Sequence, residues 1–270
     1  MSAAGTTPRS KRLLLWSVIG FDLLILALPT LIVLGASFTA GNIVTFPPDG
    51  LSLQWYEKVV GAYELRQAFW RSLWVAVVCT LISLPAGTLA AIALARWRIA
   101  FGRTLQVYLL LPFTVPLIAS GIGMMLLFGR IGILGQLWPV GLACAVINLP
   151  FMIWAVGASV NALDPDLENA AANCGAPPVQ TFLTVTLPAV MPGVITGALL
   201  MFVLAFNEFL VSLLLVDARI VTLPVQIYNS IRSVITPDLA AVSVVYILVA
   251  ALAIRALDKL VGLDLFLRSK

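Results

Sequence analysis

The sequence predicts an all-α membrane protein with six transmembrane helices, and three observations carry that prediction. Its 270 residues are 61% hydrophobic and only 10% charged, whereas soluble domains carry about 25% charged residues. Apolar runs long enough to cross a bilayer recur six times along the chain. The basic residues gather at the ends of these runs instead of forming a patch.

The runs can be taken in order. The first, Leu13–Ser37, is too long for a signal-peptide core and has no small-residue cleavage site at a suitable distance, so it reads as a retained helix. Asp22 lies about a third of the way into it. Nothing polar recurs three or four residues away, which favours a structural hydrogen bond between spans for this acid. The second run, Ser72–Ala95, contains Pro85, and the fourth, Leu137–Val160, contains Pro150. Each proline reads equally well as a packing bend or as part of a pathway lining. The third run, Leu105–Phe128, holds Pro112 and Pro116 four apart on one face, with Gly121 and Gly123 just after. Prolines free backbone groups that must be satisfied again inside a bundle or a water-lined cavity. The fifth run, Pro188–Val216, places Met201, Leu204, Glu208 and Ser212 on one helical stripe, with Asn207 beside them. A carboxylate inside a span is costly unless it faces water or a partner. Glu208 therefore reads as lining a pathway, with Asn207, Ser212 and Met201 as neighbours; a hydrogen bond to a neighbouring span is the alternative. The sixth run is Ala240–Leu257. The domain organisation expected is an N-terminal tail over 1–12, a membrane domain over 13–258 and a C-terminal tail over 259–270.

Lys and Arg set the orientation. An even number of spans leaves both termini on one side. That side carries Arg9, Lys11, Arg12, Arg96, Arg98, Arg103, Arg255, Lys259, Arg268 and Lys270. The other side carries Lys58, Arg66, Arg71, Arg130, Arg219 and Arg232. The bias places the termini in the cytoplasm. The 161–187 loop has three acids and no basic residue, so its own charge does not place it. Segments 38–70 and 217–239 then face the opposite compartment. Trp55, Tyr56, Tyr63 and Trp70 in the first of these suit either a partner interface or the headgroup belt, and the belt is favoured for Trp70.

Several chemistries are excluded. The chain has no G-x-x-x-x-G-K-[ST] phosphate loop and only four lysines, so it does not hydrolyse ATP itself. Without histidine, Ser-His-Asp and Cys-His catalysis cannot operate. Cys79, Cys144 and Cys174 form no C-x-x-C pair, and no zinc, haem or other cofactor site is expected. The scattered positive charges do not suit nucleic acid.

The most informative stretch is the polar, alanine-rich interruption LDPDLENAAANCGAPPVQTFLTVTLPAVMPG, from Leu163 to Gly193. Asp164 is a good N-cap, and Pro165 at the first helical position sacrifices no hydrogen bond. Asp166 and Glu168 favour the first turn through the helix dipole. Leu167, Ala170, Ala171 and Cys174 share one face, with Asn169 and Asn173 beside them. Gly175 supplies a left-handed terminator, and Pro177-Pro178 prevents continuation. An ordinary polar loop between spans is the plainer reading of these residues. The order Ala170-Ala171, Gly175-Ala176, Phe182, Leu187-Pro188 and Pro192-Gly193 resembles the cytoplasmic "EAA" loop of ABC importer permeases, the short helix through which a membrane subunit docks on its ATPase. Counting back from Gly175 puts that family's usual Glu at Asn169, with Glu168 one residue earlier.

The C-terminal third resembles the polyamine-type permeases of that family. An acid near Glu208, the Thr222–Tyr228 segment TLPVQIY and the Pro237–Ser243 pattern PDLAAVS carry the resemblance, which covers about residues 60–258. It implies a type I ABC importer permease fold with a cytoplasmic coupling helix in a multi-pass protein of the bacterial inner membrane. It further implies a second homologous permease, two ATP-binding subunits and a periplasmic solute-binding protein as partners. Asp164, Glu168, Asn169, Ala170, Ala171, Gly175 and Ala176 would serve ATPase coupling. The implied substrate is a small cationic amine such as spermidine or putrescine, and another small amine or amino-acid-like solute is the alternative. An ATP-independent secondary transporter would be expected to show inverted repeats, and no internal symmetry is visible.

Overall fold

The computed structural model describes residues 9–96, 102–217, 219–233 and 236–261. Arg98, Arg268 and Lys270, which entered the orientation argument, lie outside the described residues, as do most of both expected tails. The described residues fall in two compact units, one drawn from Met1–Ala62 and Ser230–Val249, the other from Tyr63–Asn229 and Ala250–Lys270.

The first unit begins with α1, Arg9–Ala36. Its apolar side chains are exposed along most of its length, Leu26 at 74% among them, as befits a helix whose solvent is lipid. Asp22 lies on this exposed surface. After α1 the chain folds back onto a short helix, α2, Gln54–Gly61. The Trp55 indole donates to the Thr39 carbonyl at 2.8 Å, and the Ser37 and Tyr56 hydroxyls lie 2.6 Å apart. Trp55 and Tyr56 are thus packing residues of this unit, while Tyr63 and Trp70 are exposed. Lys58 pairs with Asp238 at 3.3 Å, tying α2 to the start of α12, Pro237–Val261.

The second unit is built on three long helices: α3, Tyr63–Arg96; α6, Leu137–Ala162; and α9, Leu187–Phe206. Lipid is as apolar as the helices themselves, so close backbone approach over small residues must supply the packing. Ala76 and Cys79 of α3, Ala143, Met152 and Val156 of α6, and Val190 and Met201 of α9 are fully buried here. A Cβ on Gly193 of α9 would lie 2.7 Å from the Ala155 carbonyl oxygen of α6. Only glycine allows that approach. Helix α6 runs unbroken through buried Pro150, and α3 through exposed Pro85.

Two expected spans are interrupted. The third divides into α4, Gly102–Thr114, and α5, Leu117–Arg130. Pro116 precedes α5 at φ −52° and ψ 130°, and a residue ahead of a proline is itself pushed out of helical geometry. The fifth stops at Phe206 and resumes as α10, Leu210–Leu215. The single stripe expected through Met201, Leu204, Glu208 and Ser212 is therefore split between two helices. Helix α10 packs on α5, where Leu214 fills the space beside Gly121. Helix α11, Leu223–Ser233, follows, and the backbone N–H of Leu223 donates to Ser72 Oγ of α3 at 2.8 Å. Among the described residues four helices can cross a membrane by length and composition, and Leu117–Arg130 and Pro237–Leu252 are shorter apolar helices.

Candidate functional site: the docking helix and the Glu208 break

The polar interruption folds as its local signals require. Helix α7 spans Pro165–Asn173, and the Asp164 carboxylate accepts from the backbone N–H of Asp166 at 3.0 Å. Gly175 takes φ +86°. The Ala176 N–H reaches the Ala171 carbonyl at 3.1 Å, and the Gly175 N–H reaches that of Ala172 at 2.9 Å. This pair of bonds with a left-handed glycine is the Schellman termination, which satisfies carbonyls the helix leaves open. Pro177 and Pro178 do more than stop the chain, since Pro178 opens a second short helix, α8, Pro178–Thr181. One π-helical turn, Phe182–Thr186, then leads into α9. Pro188 cannot donate to the preceding turn, and such departures from α geometry are common near prolines and functional sites.

Helix α7 has no buried residue. Leu167, Asn169, Ala170, Asn173 and Gly175 are exposed, while Ala171 and Ala176 are half-buried. The Asn169 side chain donates to Asp166 Oδ1 at 3.3 Å, so it is committed along the helix. Glu168 points the other way. Its Oε2 lies 3.2 Å from Arg96 Nε at the end of α3, and its Oε1 accepts from Thr186 Oγ1 at 2.7 Å. Arg96 also donates to the Leu163 carbonyl at 3.2 Å. Neither Arg96 nor Thr186 stands out in the sequence as a partner of this loop. The available signal is an arginine at the end of one span and an acid in a later loop on the same side.

At the break after α9, the Glu208 side chain is half-buried and its Oε1 accepts from the Val211 N–H at 3.0 Å, capping the short helix α10. Asn207 is exposed and donates to the Val203 carbonyl at 2.9 Å. Ser212 is 1% exposed, and its Oγ has no hydrogen-bond partner among the described residues. Met201 is fully buried between α9 and its neighbours, with its carbonyl 3.9 Å from Cys79 Sγ. The structure thus puts Asn207, Glu208 and Ser212 at one helix break and leaves Met201 in the packed interior.

Comparison with known proteins agrees with this architecture. The family described as "Binding-protein-dependent transport system inner membrane component" matches residues 83–262. The molybdenum transport system permease protein ModB of Mycobacterium tuberculosis is 32% identical over 194 residues, 66% of this chain and 71% of that protein. The spermidine/putrescine transport system permease protein PotC of Haemophilus influenzae is 28% identical over 212 residues, 78% of this chain and 82% of its own length. The putrescine permease PotI of Escherichia coli is 26% identical over 224 residues, 80% and 79% of the two chains. In structure, a bacterial ABC transporter chain involved in alginate import superposes with a TM-score of 0.72 over 96% of this chain and 99% of that one, at 18% identity. The long apolar helices, the capped polar helix between two of them and the match over 83–262 lead to one conclusion: the chain belongs to the binding-protein-dependent transport system inner membrane components, the membrane-spanning permeases of ABC importers.

Proposed function

We propose that this permease carries a small cationic amine, of the spermidine or putrescine kind, across the inner membrane, past the helix break at Glu208. One observation carries the reading. Within the apolar runs the charged residues are Asp22, Glu208 and, two residues before the end of the sixth run, Arg255, and no Lys or Arg occurs between Arg130 and Arg219. A carboxylate in a region of low dielectric attracts a cation far more strongly than it would in water. A solute with one or two ammonium groups would find an attractive charge at Glu208, and an anion would find none of the right sign in the fourth or fifth run. The PotC and PotI relatives, matched over about four-fifths of this chain, support the same substrate class.

In this reading the chain pairs with a second homologous permease to enclose the pathway. Two ATP-binding subunits dock from the cytoplasm and a periplasmic solute-binding protein delivers the solute. Closure of the ATPase dimer displaces α7, and the helices joined to it swing as rigid elements between inward- and outward-facing arrangements. Asp164 and Gly175 hold α7 in shape, while Asn169, Ala170 and Ala171 approach the ATPase, with Ala176 at the exit of the motif.

A second reading, an oxyanion such as molybdate, is favoured by the 32% identity to ModB. The Asn207 amide and the unpartnered Ser212 hydroxyl would then act as donors. The two readings separate at the cognate binding protein. Titrated calorimetrically with putrescine, spermidine and molybdate, it should take a polyamine and ignore molybdate. Binding of molybdate alone would replace the first reading with the second.

A further inference from the structure

We infer that Arg96 and Glu168 form a strut that fixes the docking helix to the transmembrane core, making Arg96 a positioning residue for ATP-driven coupling. The inference rests on the reading of α7 as the ATPase-docking element and adds how that element is held. Helix α7 has nine residues and none buried, so neither its length nor apolar packing holds it in place. An open groove of about 390 Å³ runs beside it, lined among others by Ile92, Arg96, Glu168, Ala172 and Phe182. Among the described residues, helix α7 packs only against the short segments that follow it, α8 and the π-helical turn, and makes little direct contact with α3, α6 or α9.

The polar contacts join α7 to these helices. Both Glu168 oxygens are engaged, Oε2 by Arg96 at 3.2 Å and Oε1 by Thr186 at 2.7 Å. The Arg96 guanidinium simultaneously holds the Leu163 carbonyl at the end of α6. The Arg96 and Glu168 side chains are only 19% and 23% exposed, and Thr186 only 4%, which reduces the solvent screening that weakens surface pairs. Arg96 ends α3, Leu163 follows α6, and Thr186 closes the π-helical turn that enters α9. These are the three helices that pack together as the core of the unit. A displacement of α7 is thereby delivered to all of them through one guanidinium and one carboxylate. The Nε–Oε2 contact is an ion pair without hydrogen-bond geometry, so charge holds Glu168, while Arg96 Nη2 makes the directed bond to the Leu163 carbonyl.

The alternative is that Glu168 acts outward, on the ATPase itself. The test uses the complete transporter, co-expressed with its cognate ATPase and reconstituted in proteoliposomes, carrying Glu168→Gln, Arg96→Met or both. Two quantities are read: the ATPase recovered per permease, and solute taken up per ATP hydrolysed. The probe is radiolabelled putrescine, or molybdate if the binding protein takes that instead. A strut predicts wild-type ATPase recovery with uptake per ATP lowered on the order of tenfold by either single change. The double variant should be no worse than the worse single, because both remove the same link. A purely structural loss would lower uptake and hydrolysis together and leave their ratio unchanged, which overturns the inference. So would loss of ATPase recovery in Glu168→Gln, or single effects that simply add. If a variant fails to accumulate in the membrane, Thr186→Val, which deletes only the donor to Oε1, must lower the same ratio. Failure of the docking reading is distinguishable: it appears as full ATPase recovery by an Ala171→Arg permease in the same preparations.

Discussion

Replacing Gly193 by alanine should destabilise the α6–α9 contact, whereas the same change at Gly157 should not. An added Cβ at Gly193 would lie 2.5 Å from Ser159 Oγ and 2.7 Å from the Ala155 carbonyl oxygen, and ordinary contact begins near 3.4 Å. Ser159 can turn aside, but the carbonyl belongs to the α6 backbone, so the helices themselves must separate. Overpacking of this kind costs about 2 kcal/mol, offset by about 1 kcal/mol for the better helix propensity of alanine. The net loss is about 1 kcal/mol. At Gly157 nothing lies within 4 Å of the added atom, so only the propensity gain of about 1 kcal/mol remains. At 2–4 °C per kcal/mol for a chain of roughly this size, the two variants should melt about 4–8 °C apart, on opposite sides of the parent. Cys79 and Cys144 are buried and Cys174 is exposed. In a Cys174→Ser background, the reaction of a fluorogenic thiol reagent with the two buried cysteines on heating therefore reports opening of the bundle in detergent. A Gly193→Ala protein melting at or above Gly157→Ala would refute the close-approach argument.

Three further outcomes are expected. Asp164→Ala removes the cap on the Asp166 N–H and should weaken α7 by about 1 kcal/mol, seen as reduced recovery of the ATPase with unchanged membrane insertion. Ala171→Arg introduces bulk and charge where α7 offers a small side chain, and should abolish ATPase recovery; full recovery with normal transport would remove the docking assignment. With both termini and the 161–187 loop cytoplasmic, the exposed native Cys174 should resist a membrane-impermeant thiol reagent in intact cells, while Asn42→Cys should react. The reverse pattern would invert the topology.

The parts of this fold that could be read from the sequence are those whose causes are local. Helix α7 is such a case, because the cap at Asp164, the proline at Pro165 and the terminator at Gly175 act within a few residues of one another. The break at Pro116 also has a local cause, since a proline acts on its neighbours whatever lies around it, yet hydropathy reads Leu105–Phe128 as one span. The break after Phe206 does not. Apolar residues continue on both sides of Asn207 and Glu208, so hydropathy reads one span, and only the turn of the Glu208 carboxylate onto the Val211 N–H reveals a helix start. Met201 depends on the same assumption, because helical spacing puts it on the Glu208 stripe only if the helix continues, and the structure buries it on the far side of the break. Trp55 and Tyr56 show a different difficulty. Their aromatic character fits a membrane interface or a partner surface equally well, and the hydrogen bonds to Thr39 and Ser37 depend on how the 38–53 segment folds back. The Arg96–Glu168 pair joins two segments far apart in the chain, and nothing local to either announces the other.

The central claim, that a cation is carried past Glu208, is tested most directly by uptake through the assembled transporter. Glu208→Gln keeps the side-chain shape and the acceptor for the Val211 N–H but removes the charge. ATP-dependent uptake of radiolabelled putrescine into proteoliposomes, with the binding protein supplied, should fall on the order of tenfold or more for this variant, as loss of an unscreened charge interaction in a membrane pathway requires. Its recovery of ATPase and its docking of the binding protein should match the parent. Uptake at the parental rate, or a parent that transports molybdate and not putrescine, would contradict the claim and leave Glu208 as the cap of α10 alone.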